Sequence, residues 1–550
     1  MRGEPMLDAR MPDETGRIID ASRAALDAAL DAGRRLTDGG KGIDEHQVHA
    51  ERLAYAATEV AAAEALAGYA AGTGDATTAA MAAAFAAEVA DRLRSRIEGH
   101  REDFGIADAV LAKSLGDGDV HKAIRAAQHE ARFRDIGREM IRTRAVNNAP
   151  IDDMALMARD SARAFARKEV APLAERIHRH DELVPDAIIE KMSELGYFGM
   201  SVPEEYGGQG MGNLVMVVIT EELSAASLAA AGSLITRPEI LTKALLNGGS
   251  EAQKKKWLPP IAAGEIMCGI SVTEPDTGSD VAAVRCRAER GEQDGKAGWF
   301  ISGAKAWCTF AGRANVLALL ARTNPDLKAG AKGLSLFIVP KDPFPGHEFE
   351  MKQPGGGVLH GKADPTPGYR GMHSFTLAFE RYFVPAENLV GEAAGEGRGF
   401  YLQMQGFAAG RLQTGGRATG LAQAALEATA GYAAERKQFG RPIGDFQLTQ
   451  YKLGRMATQI AAARQLSYAA ARAMDEDESA ALHASMAKLL SSDIAVAVTQ
   501  EGQLVHGGWG YAEEFAISRH VVDALVLPIF EGVKPILELK VIARALLGER

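Results

Sequence analysis

Apolar residues recur every three to four positions over long parts of the chain, a spacing that predicts amphipathic helices. Three helical segments are expected in this way, at about 16–145, at 153–265 and from about 398 to the end. In the last segment an apolar stripe repeats at helical spacing and should face the core of a bundle; its members are Leu453, Met456, Ile460, Ala463 and Ala470.

Between 268 and about 395 the pattern becomes strand-like. Short apolar runs bounded by glycine and proline lie at 316–320, 334–339 and 375–379, and they predict an inserted β-domain. The glycine- and proline-rich stretch 354–370 is predicted to be a long loop. The predicted fold class is therefore α+β with several domains: helical at 1–150, helical at 151–267, β at 268–395, and a helical bundle at 396–550.

The first helical segment resembles the last one. Residues 16–90 align without gaps with 416–490, at a constant offset of 400 positions. The sequence ATEVAAA at 57–63, for example, matches ATQIAAA at 457–463. Chance similarity between two Ala-rich helices is the alternative, but the register stays constant across several loops. We therefore interpret the N-terminal domain as a degenerate copy of part of the C-terminal bundle.

Composition argues against several classes of function. With a net charge of -10, the chain lacks the basic balance that general nucleic-acid binding needs. No run of eighteen apolar residues occurs and no secretory segment follows Met1, so we expect neither a membrane span nor export. Three cysteines, at 268, 286 and 308, have no metal-ligand spacing, so we expect no metal site and a reducing cytoplasm.

One carboxylate near the C-terminus is a candidate general base. Glu531 lies in the apolar run VLPIFEGV at 526–533. Apolar surroundings disfavour the charged form of a carboxylate and make it a stronger base. From this run alone, an exposed glutamate at a loop–helix junction is the alternative.

Three motifs accompany this carboxylate in a fixed order. They are SVTEPDTGSD at 271–280, ERKQFG at 435–440 and HGGWG at 506–510. Together with the order of helices, β-domain and bundle, they resemble the signatures of the acyl-CoA dehydrogenase family over about 153–550. No single motif is specific, but their co-occurrence in order is. The resemblance implies that family's three-domain fold, with an all-α extension added at 1–150.

The resemblance also implies a FAD site. Trp307 and Thr309 would lie beside the flavin ring, and Arg436 would pair with the flavin diphosphate across a subunit interface. The implied cofactor-binding set is Ile270, Val272, Thr273, Gly278, Ser279, Trp307, Thr309, Arg436, Phe439, Gln447, Gly507 and Gly508. A polar turn, a packed tryptophan and a solvated arginine are the structural alternatives at these positions.

By the same resemblance, Glu531 would take the α-proton of an acyl-CoA while a hydride leaves the β-carbon for flavin. Some relatives place the base just before the position of Arg411; here that residue is Gly410, which cannot act as a base. Ser279, Arg411 and Gly532 would contact the substrate. Reduced flavin would pass its electrons to an electron-transferring flavoprotein.

The extra domain and the chain length favour, within the family, oxidation of (2S)-methylsuccinyl-CoA to mesaconyl-CoA in the ethylmalonyl-CoA pathway. That substrate has a distal carboxylate, for which Arg237 is the candidate partner, unless it is a structural surface arginine; Tyr369, Arg370 and His373 are further candidates. The alternatives are a dehydrogenase of straight or branched monoacyl-CoA, an acyl-CoA oxidase, and a DNA-associated family member with weak catalysis.

Two positions depart from the family pattern. Val533 stands where threonine is usual, and Gln503 lies one residue further from Gly507 than the usual glutamine, so that Leu504 takes its place. The shift predicts either a one-residue bulge at the helix end or the loss of one flavin contact.

The N-terminal copy has lost the flavin-side residues. Leu36 and Gly39 stand where the C-terminal segment has Arg436 and Phe439, so we expect the copy to bind no flavin. In the family, two dimers commonly join through their C-terminal bundles. We expect the copy to cover the surface that a second dimer would bury, which leaves a homodimer.

Overall fold

A computed structural model describes residues 13–477 and 481–548. Residues 1–12, with which the predicted N-terminal domain begins, residues 478–480, and residues 549–550 lie outside the described part. The chain forms two compact units: one combines the residues up to Leu156 with those from Thr414 onward, and the other is Met157–Gln413.

The described part of the N-terminal extension, from Asp13 onward, contains seven α-helices and the 3-10 turn Ile43–Glu45. The bounds of the helices are α1 (Asp13–Leu36), α2 (Gln47–Thr73), α3 (Ala76–Gly99), α4 (Arg101–Phe104), α5 (Asp108–Lys113), α6 (Gly118–Ala127) and α7 (Glu130–Thr143). Local sequence fixes the α2–α3 corner. Gly74 ends α2 in the left-handed conformation, at φ 64°, which glycine adopts without strain. The next residue, Asp75, caps α3 by accepting a hydrogen bond from the Thr78 N–H at 2.7 Å.

Helices also dominate residues 153–265. The bounds are α8 (Asp153–Phe165), α9 (Ala171–Arg179), α10 (Asp186–Glu194), α11 (Gly212–Ala226), α12 (Glu239–Gly248) and α13 (Glu251–Ala262), with π-helical segments at Ala166–Val170 and Leu228–Gly232. Ser250 begins α13 with a capping box, in which its side chain and that of Gln253 each bond the other's backbone N–H.

The β-domain contains one sheet of eight strands. The strands are β1 (Cys268–Ser271), β2 (Arg287–Gln293), β3 (Lys296–Thr309), β4 (Val316–Arg322), β5 (Leu334–Pro340), β6 (Glu348–Lys352), β7 (Val358–Ala363) and β8 (Ser374–Pro385). Their order is β1-β4-β2-β3-β8-β7-β6, and β5 pairs with β4. The three predicted runs correspond to β4, β5 and part of β8. The prediction of a loop throughout 354–370 was wrong, because β7 lies within it and pairs with β6 and β8.

The C-terminal part is helical again. Its elements are α14 (Glu392–Gly395), α15 (Gly399–Glu435), the two-residue strands β9 (Lys437–Gln438) and β10 (Arg441–Pro442), α16 (Gln447–Glu476), α17 (Ala481–His506), α18 (Gly508–Tyr511), α19 (Ala516–Ala524), α20 (Lys534–Ile536), a π-helical segment at Leu537–Ala543, and α21 (Arg544–Leu547). The predicted stripe on α16 is confirmed: all five of its members are 2% exposed or less.

The offset of 400 positions persists in the structure. The 3-10 turn Ile43–Glu45 corresponds to Ile443–Asp445, and α2 begins at Gln47 as α16 begins at Gln447. The correspondence extends to single side chains. Thr58 and Thr458 are both fully buried and both donate to the carbonyl four residues earlier at 2.8 Å. These matches support the interpretation of an internal duplication.

The extension packs directly on α16. Helix α7 approaches α16 so closely that glycine is required on both sides. A Cβ added to Gly137 would lie 1.8 Å from the Gln450 carbonyl oxygen, and one added to Gly454 would lie 1.9 Å from that of Phe133. Helices α2 and α3 also contact α16, and α2 contacts α17 and the π-helical segment near the C-terminus. The extension and the C-terminal helices therefore share one core.

Among the described helices, one is long and apolar enough to pass a test for a membrane span by length and composition, Ala481–His506. Of its most apolar window, 67% is buried inside the protein, as in the core helix of a bundle.

Candidate active site

Trp307 is an exposed aromatic side chain between two buried residues of β3, Ala306 and Cys308. The pairing of β3 with β8 shifts between Lys305 and Cys308, which is the mark of a β-bulge. Within this bulge Trp307 has a φ of 58°, unusual for a residue with a Cβ, and its side chain is 60% exposed. The bulge turns the indole outward, where it can lie against a planar ligand.

The segment before this bulge is tied to the first motif by a buried ion pair. The Lys305 ammonium donates to the carbonyl of Val272 at 2.8 Å and to the Glu274 carboxylate at 3.0 Å. The Ala306 N–H donates to the carbonyl of Thr273 at 2.8 Å. The predicted flavin contacts Val272, Thr273 and Trp307 are therefore held beside one another.

The remaining predicted residues of this unit fit the same surface. Ile270 lies on β1, at the end of which the motif begins. Gly278 and Ser279 are exposed, so their backbone and hydroxyl groups are open to a ligand. Thr309 ends β3, and its hydroxyl lies 3.0 Å from that of Ser374. Accessible hydroxyls, backbone groups and an outward indole suit the polar edge and the flat face of a flavin.

In the other unit, the second motif forms a tight hairpin. Strands β9 and β10 are joined by Phe439 and Gly440, both left-handed at φ 53° and 81°. Arg436 is exposed at the base of the hairpin, and Phe439, at its tip, is 93% exposed. An exposed arginine beside an exposed aromatic side chain suits a ligand or a partner that covers both.

The third motif is exposed at its three central residues, whereas His506 and Gly510 are buried. Gly507 and Gly508 are exposed at the end of α17, and no atom lies within 4 Å of a Cβ added to either. Gln447 is exposed at the start of α16. The helix α17 is continuous up to His506, and the Gln503 side chain donates to the Gly510 carbonyl at 3.1 Å. Gln503 therefore braces the glycine turn.

Leu504, which takes the place of the usual glutamine, is 69% exposed. The shifted Gln503 predicted either a bulge at the helix end or the loss of one flavin contact. The structure has no bulge in the described helix Ala481–His506. The loss of one flavin contact at this position stays a prediction.

The loop that carries Glu531 has an unusual backbone. Glu531 has a φ of 55° and Gly532 a φ of 102°, so two consecutive residues lie in or near the left-handed region. A glutamate held there costs roughly 1–3 kcal/mol, which the surrounding structure must offset. The Lys534 N–H closes the loop by donating to the Pro528 carbonyl at 2.9 Å. Such a conformation sets the direction in which the Glu531 Cα–Cβ bond leaves the backbone.

Two buried cations border this loop, which the apolar run did not predict. The Lys488 ammonium, from α17, donates to the Gly532 carbonyl, and the Arg417 guanidinium lies 4.7 Å from the centre of the Phe530 ring. Both cationic side chains are fully buried. The expectation of purely apolar surroundings for Glu531 is corrected accordingly: cations flank its neighbours on both sides, and Ile529 is 59% exposed.

Arg237 is a buried arginine held by its own turn. It is 4% exposed, its Nε donates to the Ser233 carbonyl at 3.1 Å, and its Nη2 donates to the Thr236 hydroxyl at 2.9 Å. The alternative of a surface arginine is therefore wrong. Arg411 and Gly410, the other positions considered, lie on the long helix α15.

The further candidates for a distal carboxylate have other contacts. Arg370 donates to the carbonyls of Thr366 and His178 at 3.0 and 3.2 Å. His373 is buried, with its Nε2 at 3.1 Å from a carboxylate oxygen of Asp181. Tyr369 is buried as well.

The His347 ring lies 4.4 Å from the His373 ring, centre to centre, at a tilt of 41°. Three possible metal-ligand atoms, from Asp181 and the two histidines, lie within 4.8 Å of one another. The guanidinium of Arg370, at 3.6 Å, already supplies a cation to Asp181.

Comparison with known proteins gives the family. Models of the acyl-CoA dehydrogenase N-terminal, middle and C-terminal domains match residues 152–265, 269–382 and 397–547. The chain is 43% identical over 403 residues to the (2S)-methylsuccinyl-CoA dehydrogenase of Cereibacter sphaeroides, covering 72% of this chain and 70% of that protein.

Solved structures agree. Butyryl-CoA dehydrogenase from Megasphaera elsdenii superimposes with a TM-score of 0.66 at 30% identity, covering 73% of this chain and 100% of that one. A glutaryl-CoA dehydrogenase from Mycobacterium smegmatis in complex with FADH2 gives 0.62 at 26% identity, covering 72% and 95%. The three-domain fold with an N-terminal helical extension is thereby confirmed, and the chain belongs to the acyl-CoA dehydrogenase family of flavin-dependent enzymes.

Proposed function

We propose that the protein removes two hydrogens from the α- and β-carbons of (2S)-methylsuccinyl-CoA to form mesaconyl-CoA, in the cytoplasm and within the ethylmalonyl-CoA pathway. The observation that carries this choice of substrate is the 43% identity to a relative of that name. Members of the family share the dehydrogenation chemistry, and Arg237 offers a buried cation for the second carboxylate of this substrate.

FAD is the proposed cofactor, and the residues present fit it. The outward indole of Trp307 and the hydroxyl of Thr309 would lie along the flavin ring. Arg436, with its exposed hairpin, would bind the diphosphate of a flavin held by a second copy of the chain. The chemistry that FAD supplies when bound is the acceptance of two electrons.

Glu531 is the proposed base. Its carboxylate takes the α-proton of the thioester and ends the step protonated. The electron pair of that α-carbon–hydrogen bond forms the double bond as the β-hydrogen leaves as hydride, for which bound FAD would be the acceptor. Lys488 and Arg417 contact the residues on either side of Glu531, Gly532 and Phe530, and so support the backbone from which this carboxylate projects. Positioning of this kind contributes much of the rate in such reactions.

Arg237 is proposed to bind the distal carboxylate. A guanidinium keeps its charge when buried, and its planar fork matches a carboxylate with two parallel hydrogen bonds. The bonds to Ser233 and Thr236 use its Nε and one terminal nitrogen and fix the plane of the group. A monoacyl-CoA would leave this buried cation without a counter-charge, which disfavours such substrates.

A homodimer and an electron-transferring flavoprotein are the proposed partners. Apolar side chains that a monomer would leave in water support an interface; they are Phe439, Leu448, Leu504 and Tyr511, each at least 65% exposed. The extension covers α16 within the same chain, which supports a dimer rather than a tetramer. Light scattering of the purified protein tests this: a tetramer would contradict it.

The test of the substrate is anaerobic bleaching of the flavin absorbance by a panel of acyl-CoA thioesters. Methylsuccinyl-CoA should bleach the purified flavoprotein rapidly, and butyryl- and isobutyryl-CoA should do so far more slowly. Faster bleaching by either monoacyl-CoA would overturn the proposed substrate. Rapid reoxidation by air would identify an oxidase, and salt-sensitive retention on DNA would favour the DNA-associated alternative.

A further inference from the structure

We propose that Tyr55, in the N-terminal extension, is a positioning residue for the loop that carries Glu531. It acts through the Asp493 carboxylate, which accepts hydrogen bonds both from the Tyr55 hydroxyl and from the ammonium of Lys534, three residues beyond the proposed base. The inference rests on the proposed role of Glu531. It gives the extension a part in the dehydrogenation itself, in addition to any part in assembly.

Helix α17 holds the loop at both ends. The Ser492 hydroxyl donates to the Leu527 carbonyl at 3.3 Å, before Glu531. The Lys488 ammonium donates to the Gly532 carbonyl, after Glu531. The loop thus has two anchors on one face of α17, and a shift of this helix face would move the carboxylate.

The third anchor on α17 is Asp493, and it joins the loop to the extension. One oxygen of its carboxylate, Oδ2, accepts from the Lys534 ammonium at 2.6 Å and from the Tyr55 hydroxyl at 2.7 Å. Burial lowers the pKa of Lys534, but the hydrogen bond and charge of Asp493, together with the charges of Glu538 and Glu51, outweigh burial. The net pKa is raised, so the ammonium stays charged. The carboxylate is therefore fixed by two donors from opposite ends of the sequence.

Tyr55 is itself held between cations. The Lys534 ammonium lies 5.0 Å from the centre of its ring, and the Arg96 guanidinium lies 5.4 Å from it. Arg96 is paired with the buried carboxylate of Glu59, on the same helix as Tyr55. Burial raises the pKa of the Tyr55 hydroxyl well above its usual range, so it remains a hydrogen-bond donor at every physiological pH.

The hydrogen bonds that join Tyr55, Asp493 and Lys534 are not needed merely to pack the extension against α17. The side chains of Lys534 and Asp493 are 36% and 24% exposed, so they are only partly removed from water. Partial burial of these charges and of the Tyr55 hydroxyl still opposes stability unless the geometry offsets it, and apolar residues would cover α17 more simply. The position that matches Tyr55 in the C-terminal segment is Arg455, which bonds Glu88 instead. Tyr55 is thus a feature of the extension alone.

The chain offers a matched control. Tyr69 lies on the same helix, α2, and its hydroxyl donates to the Pro150 carbonyl at 2.8 Å, away from the loop. Tyr55→Phe and Tyr69→Phe each remove one hydroxyl and keep the ring. Only the first removes a donor to Asp493, so a difference between the two variants isolates the relay.

The experiment uses full-length holoenzyme with FAD bound. Amide hydrogen exchange, read by mass spectrometry, should rise in Tyr55→Phe within residues 525–536 and stay unchanged in Tyr69→Phe. The rate of flavin reduction by saturating methylsuccinyl-CoA should fall about tenfold in Tyr55→Phe, as for the loss of one hydrogen bond to a charged group. The FAD content and KM should not change.

A second variant tests the chain of contacts. Lys534→Met should produce the same local exchange and a similar rate, and the double variant should add little, because both residues act through one carboxylate. Additive losses would overturn the relay. Unchanged exchange in the loop, or raised exchange with an unchanged rate, would overturn the positioning role, and exchange raised throughout α2 and α17 would show a structural role instead.

A separate measurement tests whether Glu531 is the base. Normal flavin reduction by Glu531→Gln would remove the base assignment, whereas the exchange measurement on Tyr55→Phe reports the relay without any chemistry.

Discussion

The Lys305 ammonium lies 3.0 Å from the Glu274 carboxylate, in a position from which water is excluded. The same carboxylate accepts from the backbone N–H groups of Arg285 and Cys286 at 2.8 and 2.7 Å. One buried pair therefore joins the first motif to the strand that presents Trp307. The residues proposed to contact flavin depend on this pair, although neither member is expected to touch the cofactor.

Lys305→Met should destabilise the protein strongly and weaken FAD binding. Removing one member of a buried pair leaves the other charge uncompensated, which costs about 3–5 kcal/mol in the free energy of unfolding. Denaturant unfolding and FAD titration of the apoprotein measure the two effects. Lys352→Met, which breaks an exposed pair with Glu350, is the control and should stay within about 0.5 kcal/mol.

Glu531→Gln should retain FAD and bind acyl-CoA but lose at least ~10³-fold in the rate of flavin reduction, roughly the contribution of a positioned base. The amide keeps the size of the side chain and cannot take the α-proton. Stopped-flow absorbance measures the rate. Glu514→Gln, at an exposed position of the same unit, should reduce flavin normally. If the two variants behaved alike, Glu531 would not be the base.

Arg237→Ala should weaken the use of methylsuccinyl-CoA by roughly 2–5 kcal/mol in kcat/KM, because a buried carboxylate would lose its partner. Butyryl-CoA has no distal carboxylate, so its kcat/KM should change far less in the same variant. Steady-state kinetics with both thioesters measure the two changes in kcat/KM. Equal losses on the two substrates would assign Arg237 a structural role.

Glu538 should make stability depend on pH around neutrality. Burial raises its pKa to about 7; Lys534 lowers it, and Glu51 and Asp493 raise it. A raised pKa in the folded state gives a contribution that is complete below 4.5, the ordinary value, and is lost as pH rises through about 7.

Glu538→Gln cannot ionise and should escape this loss. Between pH 5 and pH 8 the melting temperature of the unaltered protein should therefore fall relative to that of the variant. Parallel melting curves across this range would contradict the predicted titration.

Gly454→Ala should loosen the contact between the extension and the C-terminal helices. The new Cβ would lie 1.9 Å from the Phe133 carbonyl oxygen, so the backbones must separate, at a cost of about 1–3 kcal/mol. Urea unfolding measures the loss. Gly72→Ala is the control: no atom lies within 4 Å of its added Cβ, and replacing a helical glycine there should be neutral or stabilising by up to about 1 kcal/mol.

Sequence pattern predicted the elements whose burial follows their own periodicity. The α16 stripe is an example, because a helix buried on one face repeats its apolar residues at 3.6 positions. Strand β7 was missed because its glycine was taken as a loop signal. Gly361 in fact allows Phe349 to approach from the neighbouring strand, where an added Cβ would lie 2.2 Å from the ring. That requirement depends on strand pairing, which single segments do not reveal.

The sequence predicted the motifs of the candidate site. It did not predict the buried side chains that hold the Glu531 loop in place. Lys488 and Arg417 stand in Ala-rich helices, where an isolated cation usually points into water. They are buried by the Glu531 loop, which lies more than thirty positions later in the chain. No local sequence pattern therefore indicates that they are buried. Tyr55 is hidden for the same reason, since its acceptor Asp493 lies 438 positions away.

Helices α1 to α3 are translated long before the segment from Thr414 onward, with which they share one unit. Residues 157–413 are contiguous and can fold as they emerge, but the extension must wait for the segment from Thr414 onward. Translation of the intervening part takes on the order of 10–50 s at about 5–20 residues per second. During that interval the apolar faces of α1 to α3 remain open to aggregation and to chaperones. A chain that stopped before Thr414 would therefore leave these apolar faces without the helices that cover them.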